Sequence, residues 1–473
     1  MTNTAKSTAR LTAAALATAL CVFASSGAQA QSATNVKALE GLSPVAVLLK
    51  TPEGQAALTA NLSVTGGIQT GEIKQPLLLP FKEQQQLALK DSFITDGNAT
   101  QLADGLGTKL GAIYQAKTAY VDWKTFPNVS KSVADLIAYT NATTKSDSNA
   151  GKYFFANGTK NGKEPVAETV TARLFAAGGT YDVFGKAYNR PAGSQGADAY
   201  GNSRPFQTEP LLIAFRGPDY FGRPSHSLDW LRGPNQNLTD SPSYPSGHTT
   251  YGYTESLILA LLVPERYQQM VARAAEYGND RIVMGAHYAM DVLGGRTLSL
   301  YDVAHLLAND PAYVGRTLSN AAAPSGMGQG SEDAVTIADF PAAMRAARAD
   351  LKAFLESGCG DKIARCAADD QSRFKDTAAN ETMYNGTQTY GLPVVHAKAA
   401  GAADVGKLAP EAGNLLTAAF PSLTLAEAND ILTATQGPGG TFLDDGSAFG
   451  AYSRINLYAA AGKAAALAAT RQK

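Results

Sequence analysis

The chain reads as an all-α protein, on two observations. Apolar residues recur at helical spacing, as in SKSVADLIAY at 130–139 and LAPEAGNLLTAAF at 408–420, whereas alternating runs of β-branched residues are scarce. The helical texture is strongest from Thr249 to Leu307, where YGYTESLILALL and MVARAAEYGNDRIVMGAHYAMDVLGGRTLSLYDVAHLL predict three or four helices.

The elements follow in order. Residues 1–30 have the pattern of an export signal: Lys6 and Arg10, an Ala/Leu-rich run from Leu11 to Ala24, then Ala28-Gln29-Ala30 before Gln31. Residues 31–150 form an N-terminal helical region, and 151–327 the core domain. Within it, about 186–245 turns to Gly, Pro, Asn, Ser and aromatics, a long irregular stretch of the kind that carries function or covers a cleft. GQGSEDA at 328–334 is a linker. Residues 335–473 form a C-terminal helical region, interrupted by a Gly-rich loop, TQGPGGTFLDDGSAFG. That loop lacks the Lys-Ser/Thr of a phosphate-cradling P-loop and reads as a surface turn.

Composition excludes several function classes. The chain has 40 Lys+Arg against 41 Asp+Glu, and removing residues 1–30 takes away two cations and no acid. That balance gives no footprint for nucleic acid or an anionic membrane surface. After residue 30 no apolar run approaches the ~20 residues of a membrane span, the longest candidate being LILALLV at 257–263. Cys359 and Cys366 read as one local disulfide in an exported chain, and His and Cys do not cluster as metal ligands.

Two short strings carry chemistry. In SYPSGH, Pro245-Ser246-Gly247 is turn chemistry, with Ser246 as a helix cap and Gly247 allowing close approach to an anion at a helix start. His248 then stands where an imidazolium can protonate a leaving oxygen. In NDRIVMGAHYAMD, Asp291 follows His287 by four residues, so on one helical face it can fix the ring tautomer and leave the other nitrogen free to attack. Arg281 offers planar donors for phosphate oxygens. Each string alone has a structural explanation, a capped turn or an i,i+4 ion pair; their occurrence together points to phosphoryl transfer through histidine.

These strings resemble the type-2 phosphatidic acid phosphatase superfamily, whose signature is K-x6-R-P, then P-S-G-H, then S-R-x5-H-x3-D. The second motif matches in full. The third matches at Arg281, His287 and Asp291, with Asp280 where the family has Ser. The likeness covers roughly residues 180–305, and SYPSGHT with the export signal is most similar to the bacterial class A non-specific acid phosphatases. The first motif has three possible homes, Arg190-Pro191, Arg204-Pro205 and Arg223-Pro224, none with Lys seven residues earlier. The run KAYNR…SRPF favours Lys186 with Arg204; Lys186 with Arg190 on one helical face comes next, and Arg223 with Arg216 last.

The resemblance implies a helical bundle of the phosphatidic acid phosphatase type 2/vanadium haloperoxidase kind, with its motifs on helix ends around one phosphate-sized pocket. It implies an exported, periplasmic or secreted, metal-independent acid phosphatase that hydrolyses small phosphate monoesters. In that chemistry His287 attacks, His248 is the acid and then the base, and Asp291 supports His287. Arg281, Ser246, Gly247, Lys186, Arg204 and Arg190 are the candidate phosphate binders. No cofactor is implied unless the chain follows the haloperoxidase branch, where vanadate occupies the phosphate position. An enzyme acting on lipid or isoprenyl phosphates is the further alternative. Outside the motifs, His226 and the aromatics Tyr220, Phe221 and Trp230 are candidates for lining the cleft, and His305 and His396 fit helix or loop positions without partners.

Overall fold

The computed structural model describes residues 32–72, 77–94, 96–122, 125–209, 212–318 and 334–471. The export-signal segment and most of the 328–334 linker lie outside these residues. The described residues are 61% helix and 3% strand, an all-α fold.

Among the described residues the first five α-helices are α1 (Ala33–Leu42), α2 (Pro52–Thr70), α3 (Phe81–Asp91), α4 (Thr108–Thr118) and α5 (Lys131–Asn157). Short helices α6 (Glu168–Phe175), α7 (Val183–Ala187) and α8 (Pro205–Thr208) follow. Then come α9 (Gly247–Leu262), α10 (Tyr267–Val283) and α11 (Ala289–Leu307). The C-terminal region contributes α12 (Phe340–Cys359), α13 (Ile363–Ala368) and further helices that end with a last one at Leu457–Thr470.

α9 lies at the centre of the molecule, and every residue from His248 to Leu262 is buried. Its second half, LILALL, is apolar on all sides, while in its first half Glu255 accepts from the Gly97 amide and from Asn141, both at 2.7 Å. α9 packs against α10, α11 and α5. α10 also carries charge into the interior, and its Arg273 is paired several times over. Nη1 and Nη2 of Arg273 each lie 2.8 Å from an oxygen of Asp91 at the end of α3, and Nε lies 2.7 Å from Asp104. A buried guanidinium with this many carboxylate partners ties α10 to the N-terminal region.

α5 is 27 residues long, capped by Ser130, which accepts from the Val133 amide, and ended by Gly158 at φ 77°. It runs unbroken across residue 150, where the sequence suggests a boundary, and packs on α1, α9, α11 and α12. One apolar cluster links residues from Ala38 to Ala468.

The irregular stretch is held by local devices. A two-stranded hairpin, β1 (Arg216–Pro218) and β2 (Pro224–His226), pairs Gly217 with Ser225. Tyr220, Phe221 and Trp230 gather around Phe93 at ring separations of 5.3, 4.8 and 6.3 Å, so they fasten this stretch to the end of α3. Cys359 and Cys366 close the turn between α12 and α13 with Cα atoms 6.5 Å apart, a separation a disulfide spans. Among the described residues no helix is long and apolar enough to cross a membrane.

Candidate active site

The two motif strings meet at the head of α9. Ser246 caps that helix, its Oγ accepting from the Thr249 amide at 3.0 Å, and its own amide donates to the carbonyl of Asp291 at 3.0 Å. The PSGH turn is therefore bonded directly to the first turn of α11. This fixes His248, the second residue of α9, against the loop that carries His287.

His287 is not helical. α10 ends at Val283, Gly285 turns the chain at φ 74°, and the amides of Ala286 and His287 both donate to the carbonyl of Arg281. The expected shared helical face of His287 and Asp291 is corrected here, because a left-handed glycine ends the helix before the histidine. Asp291 sits in the first turn of α11 instead. Its Oδ2 accepts from the Tyr288 amide at 2.8 Å and from Ser243 Oγ, and lies 3.4 Å from Nδ1 of His287. The contact survives through the loop.

Around the ring nitrogens the geometry is compact. Nε2 of His287 lies 2.9 Å from Nδ1 of His248 and 3.1 Å from Nη1 of Arg204. With Arg204 donating, Nε2 carries the lone pair and Nδ1 the proton, directed at Asp291 and Ser243. Arg204, fully buried, also donates to the carbonyls of Ser241, Ala286 and Pro242, bracing the His287 loop against the segment before PSGH. Arg281 donates to the Ala88 carbonyl at 2.9 Å and to Ser92 Oγ at 3.3 Å, with its guanidinium 4.9 Å from the Tyr277 ring centroid.

Of the phosphate-binding candidates, the structure brings together Arg204, Arg281, Ser246 and Gly247 and leaves out Lys186 and Arg190. Lys186 is exposed and donates to Thr180 Oγ1 and the Tyr181 carbonyl; Arg190 is partly buried and donates to the Asn189 carbonyl. Their expected common helical face does not form, since α7 stops at Ala187 and Asn189 is left-handed at φ 58°. Arg223 is exposed and rests over the Phe221 ring. His226 caps a short 3-10 turn by accepting from the Leu228 amide, and His305, expected to lack a partner, lies 2.8 Å from Asp310.

The residue that sequence reasoning missed is Lys152 on α5. It is 4% exposed, and a Cβ on Gly247 would stand 2.9 Å from its Nζ. Ser243, two residues before Pro245, was missed as well.

Burial dominates the electrostatics. It holds both histidines well below 6.5, with Arg281, Arg204 and Lys152 adding to the effect at His248, and Arg204, His248, Lys152 and Arg281 at His287. It also lowers Lys152 to about 7, helped by Arg204. Asp291 is lifted to about 7 by burial, against Ser243, the Tyr288 amide, Arg204 and Lys152. Three basic side chains and two imidazoles thus act on one buried carboxylate, an excess of positive charge in this part of the interior.

An all-α protein with a histidine pair, a supporting aspartate and buried cations is the class that fold and site define. A family model described as the PAP2 superfamily matches residues 198–309. The chain is 42% identical over 69 residues to a non-specific acid phosphatase of Salmonella typhimurium, covering 15% of this chain and 28% of that protein. It is 41% identical over 71 residues to an acid phosphatase of Zymomonas mobilis, covering 15% and 27%. With a non-specific acid phosphatase of Providencia stuartii it shares 36% identity over 72 residues, covering 15% and 29%. The chain thus spans less than a third of the length of these curated relatives.

Proposed function

We propose that this chain is a phosphoric monoester hydrolase that works through a phosphohistidine. The observation that carries the reading is the approach of His248 to Nε2 of His287, with Asp291 behind the same ring. In the first step the Nε2 lone pair attacks phosphorus, the bond to the alcohol oxygen breaks, and the imidazolium of His248 gives that oxygen its proton. In the second, water attacks the phosphohistidine, His248 takes the water's proton, and the N–P bond breaks to release phosphate. Arg204 and Arg281 offset charge on the equatorial oxygens.

The lowered acidity range of His248 fits this order. A dianionic phosphate beside it favours the protonated ring, so substrate supplies the field that loads the acid. Turnover on this reading needs no metal and no vanadate, and orthovanadate acts as a competitive inhibitor; vanadate-dependent bromination by peroxide would instead assign the haloperoxidase reaction. Export is part of the proposal, supported by the pattern of residues 1–30, and mass spectrometry of secreted protein would show Gln31 at its N-terminus.

The deciding test is His287→Ala assayed with an aryl phosphate. Loss of turnover beyond about a thousandfold is expected; activity near that of the unaltered chain would remove His287 from the mechanism.

A further inference from the structure

The pocket's three buried cations differ in what their donors are doing. Arg204 has its nitrogens on the carbonyls of Ser241, Pro242 and Ala286, on Ser241 Oγ and on His287. Arg281 has both terminal nitrogens on Ala88 and Ser92, leaving Nε unpartnered. Lys152 has none of its donors engaged: among the described residues no hydrogen bond or ion pair reaches its Nζ, although the side chain is 4% exposed. A lysine on a helix ordinarily extends its ammonium to water, and a buried one without a partner is costly.

The backbone is arranged to keep it there. Gly151 of α5 lets Pro245 of the PSGH turn approach so closely that a Cβ would stand 2.9 Å from the proline Cδ. The missing Cβ of Gly247 leaves the same clearance for Nζ at the head of α9. The groups that act on Lys152 are Arg204 and Lys145, which repel its charge, and Asp96 and Asp198, which favour it. Lys145 is itself paired with Asp96. Lys152 in turn acts on His248, His287 and Asp291.

We propose that Lys152 binds the non-bridging oxygens of the phosphoryl group above Gly247, and so supplies from α5 a cation that the first motif of this chain lacks. The position seven residues before Arg204 is Ala197, and Lys152 lies outside the segment 198–309 that matches the family model. The anion site is thus completed by a helix of the N-terminal part of the chain. This rests on the reading of the pocket as a phosphoryl-transfer site.

The test is binding of inorganic phosphate to the full chain, measured by titration calorimetry near pH ~6, where the ammonium is charged. Lys152→Met and Lys152→Gln are each expected to weaken phosphate by at least about tenfold. Their melting temperatures should not fall, since each removes a buried charge. Affinity within about twofold of the unaltered chain in either folded variant overturns the proposal, as does failure of the unaltered chain to bind phosphate. Should both variants fail to fold, reductive methylation of the unaltered protein decides. Phosphate is expected to protect Lys152, and equal labelling with and without phosphate overturns the assignment. Binding is scored apart from turnover: a chain that holds phosphate through Lys152 but hydrolyses no aryl phosphate would sink the proposed reaction and leave this site standing.

Discussion

Nδ1 of His248 and Nε2 of His287 lie 2.9 Å apart, closer than in-line transfer between them allows. An attacking nitrogen at about 3 Å from phosphorus, with a leaving oxygen beyond it and a donor beyond that, needs more than about 5 Å between the rings. His287 is held by Asp291 and Ser243 on its far side, whereas among the described residues the ring nitrogens of His248 contact His287 alone. On the proposed mechanism, His248 is therefore the ring expected to move aside when a phosphoryl group enters.

The first prediction concerns its role as acid. His248→Ala should lower kcat on an alkyl phosphate by about a hundredfold or more, and by much less on a nitrophenyl phosphate, whose leaving group needs no proton. Equal losses on both substrates would show that His248 does something other than protonate the leaving oxygen.

Asp291→Asn keeps an acceptor for the Tyr288 amide and removes the negative charge beside His287. A fall in kcat of about ten- to a hundredfold is expected, with phosphate affinity little changed. Steady-state kinetics together with phosphate inhibition separate the two effects; an unchanged kcat would count against support of the His287 ring by this carboxylate.

The three homes of the first motif separate by mutation. Lys186→Ala and Arg190→Ala should leave kcat/KM within about twofold, because each side chain is bonded to its own neighbourhood rather than to the histidine pair. Arg204→Met should abolish turnover and lower the melting temperature, because it unties the carbonyls of Ser241 and Ala286 in the interior. Loss of activity in Lys186→Ala with Arg204→Met unaffected would reverse the assignment.

Asp280, where the family has Ser, is a fully buried acidic group. It accepts from Gln84 Nε2 at 2.6 Å, and burial, Asp91 and Glu276 hold its pKa well above the usual carboxylate range. A carboxyl raised in the folded state binds more protons folded than unfolded once pH exceeds about 4, so its contribution to stability declines as pH rises toward the folded value. Asp280→Asn should remove that slope. Its melting temperature relative to the unaltered chain is expected to rise by a degree or more per pH unit, roughly, between about pH 5 and 7. A difference that stays flat with pH would show that Asp280 is charged in the folded protein.

What could be read in the sequence, and what could not, follows from where each constraint is stored. PSGH and R-x5-H-x3-D store the histidine site locally: a capping serine, a glycine and fixed spacings suffice, and the structure brings those residues together. Helix α9 was legible because its apolar run has no polar face to mislead. The helix expected to join His287 and Asp291 was misread because Gly285 could equally have been a helical glycine, and only its positive φ reveals the break. Lys152 was invisible for a different reason. In SNAGKYFFAN it is one lysine on a long helix, the commonest setting for a solvent-facing side chain, and only the packing of α5 on α9 turns it inward.

The length of α5 has a consequence for anyone wishing to reduce this protein to a working minimum. A trimmed version spanning the matched segment alone would keep every motif residue and yet lack the helix that bears Lys152, together with Ala88 and Ser92 that grip Arg281. Such a fragment would carry the recognisable signature and an incomplete floor beneath it. Grafting the two motif strings onto a smaller bundle would fail in the same way unless a third helix, supplied from elsewhere, delivered its charge to the same point.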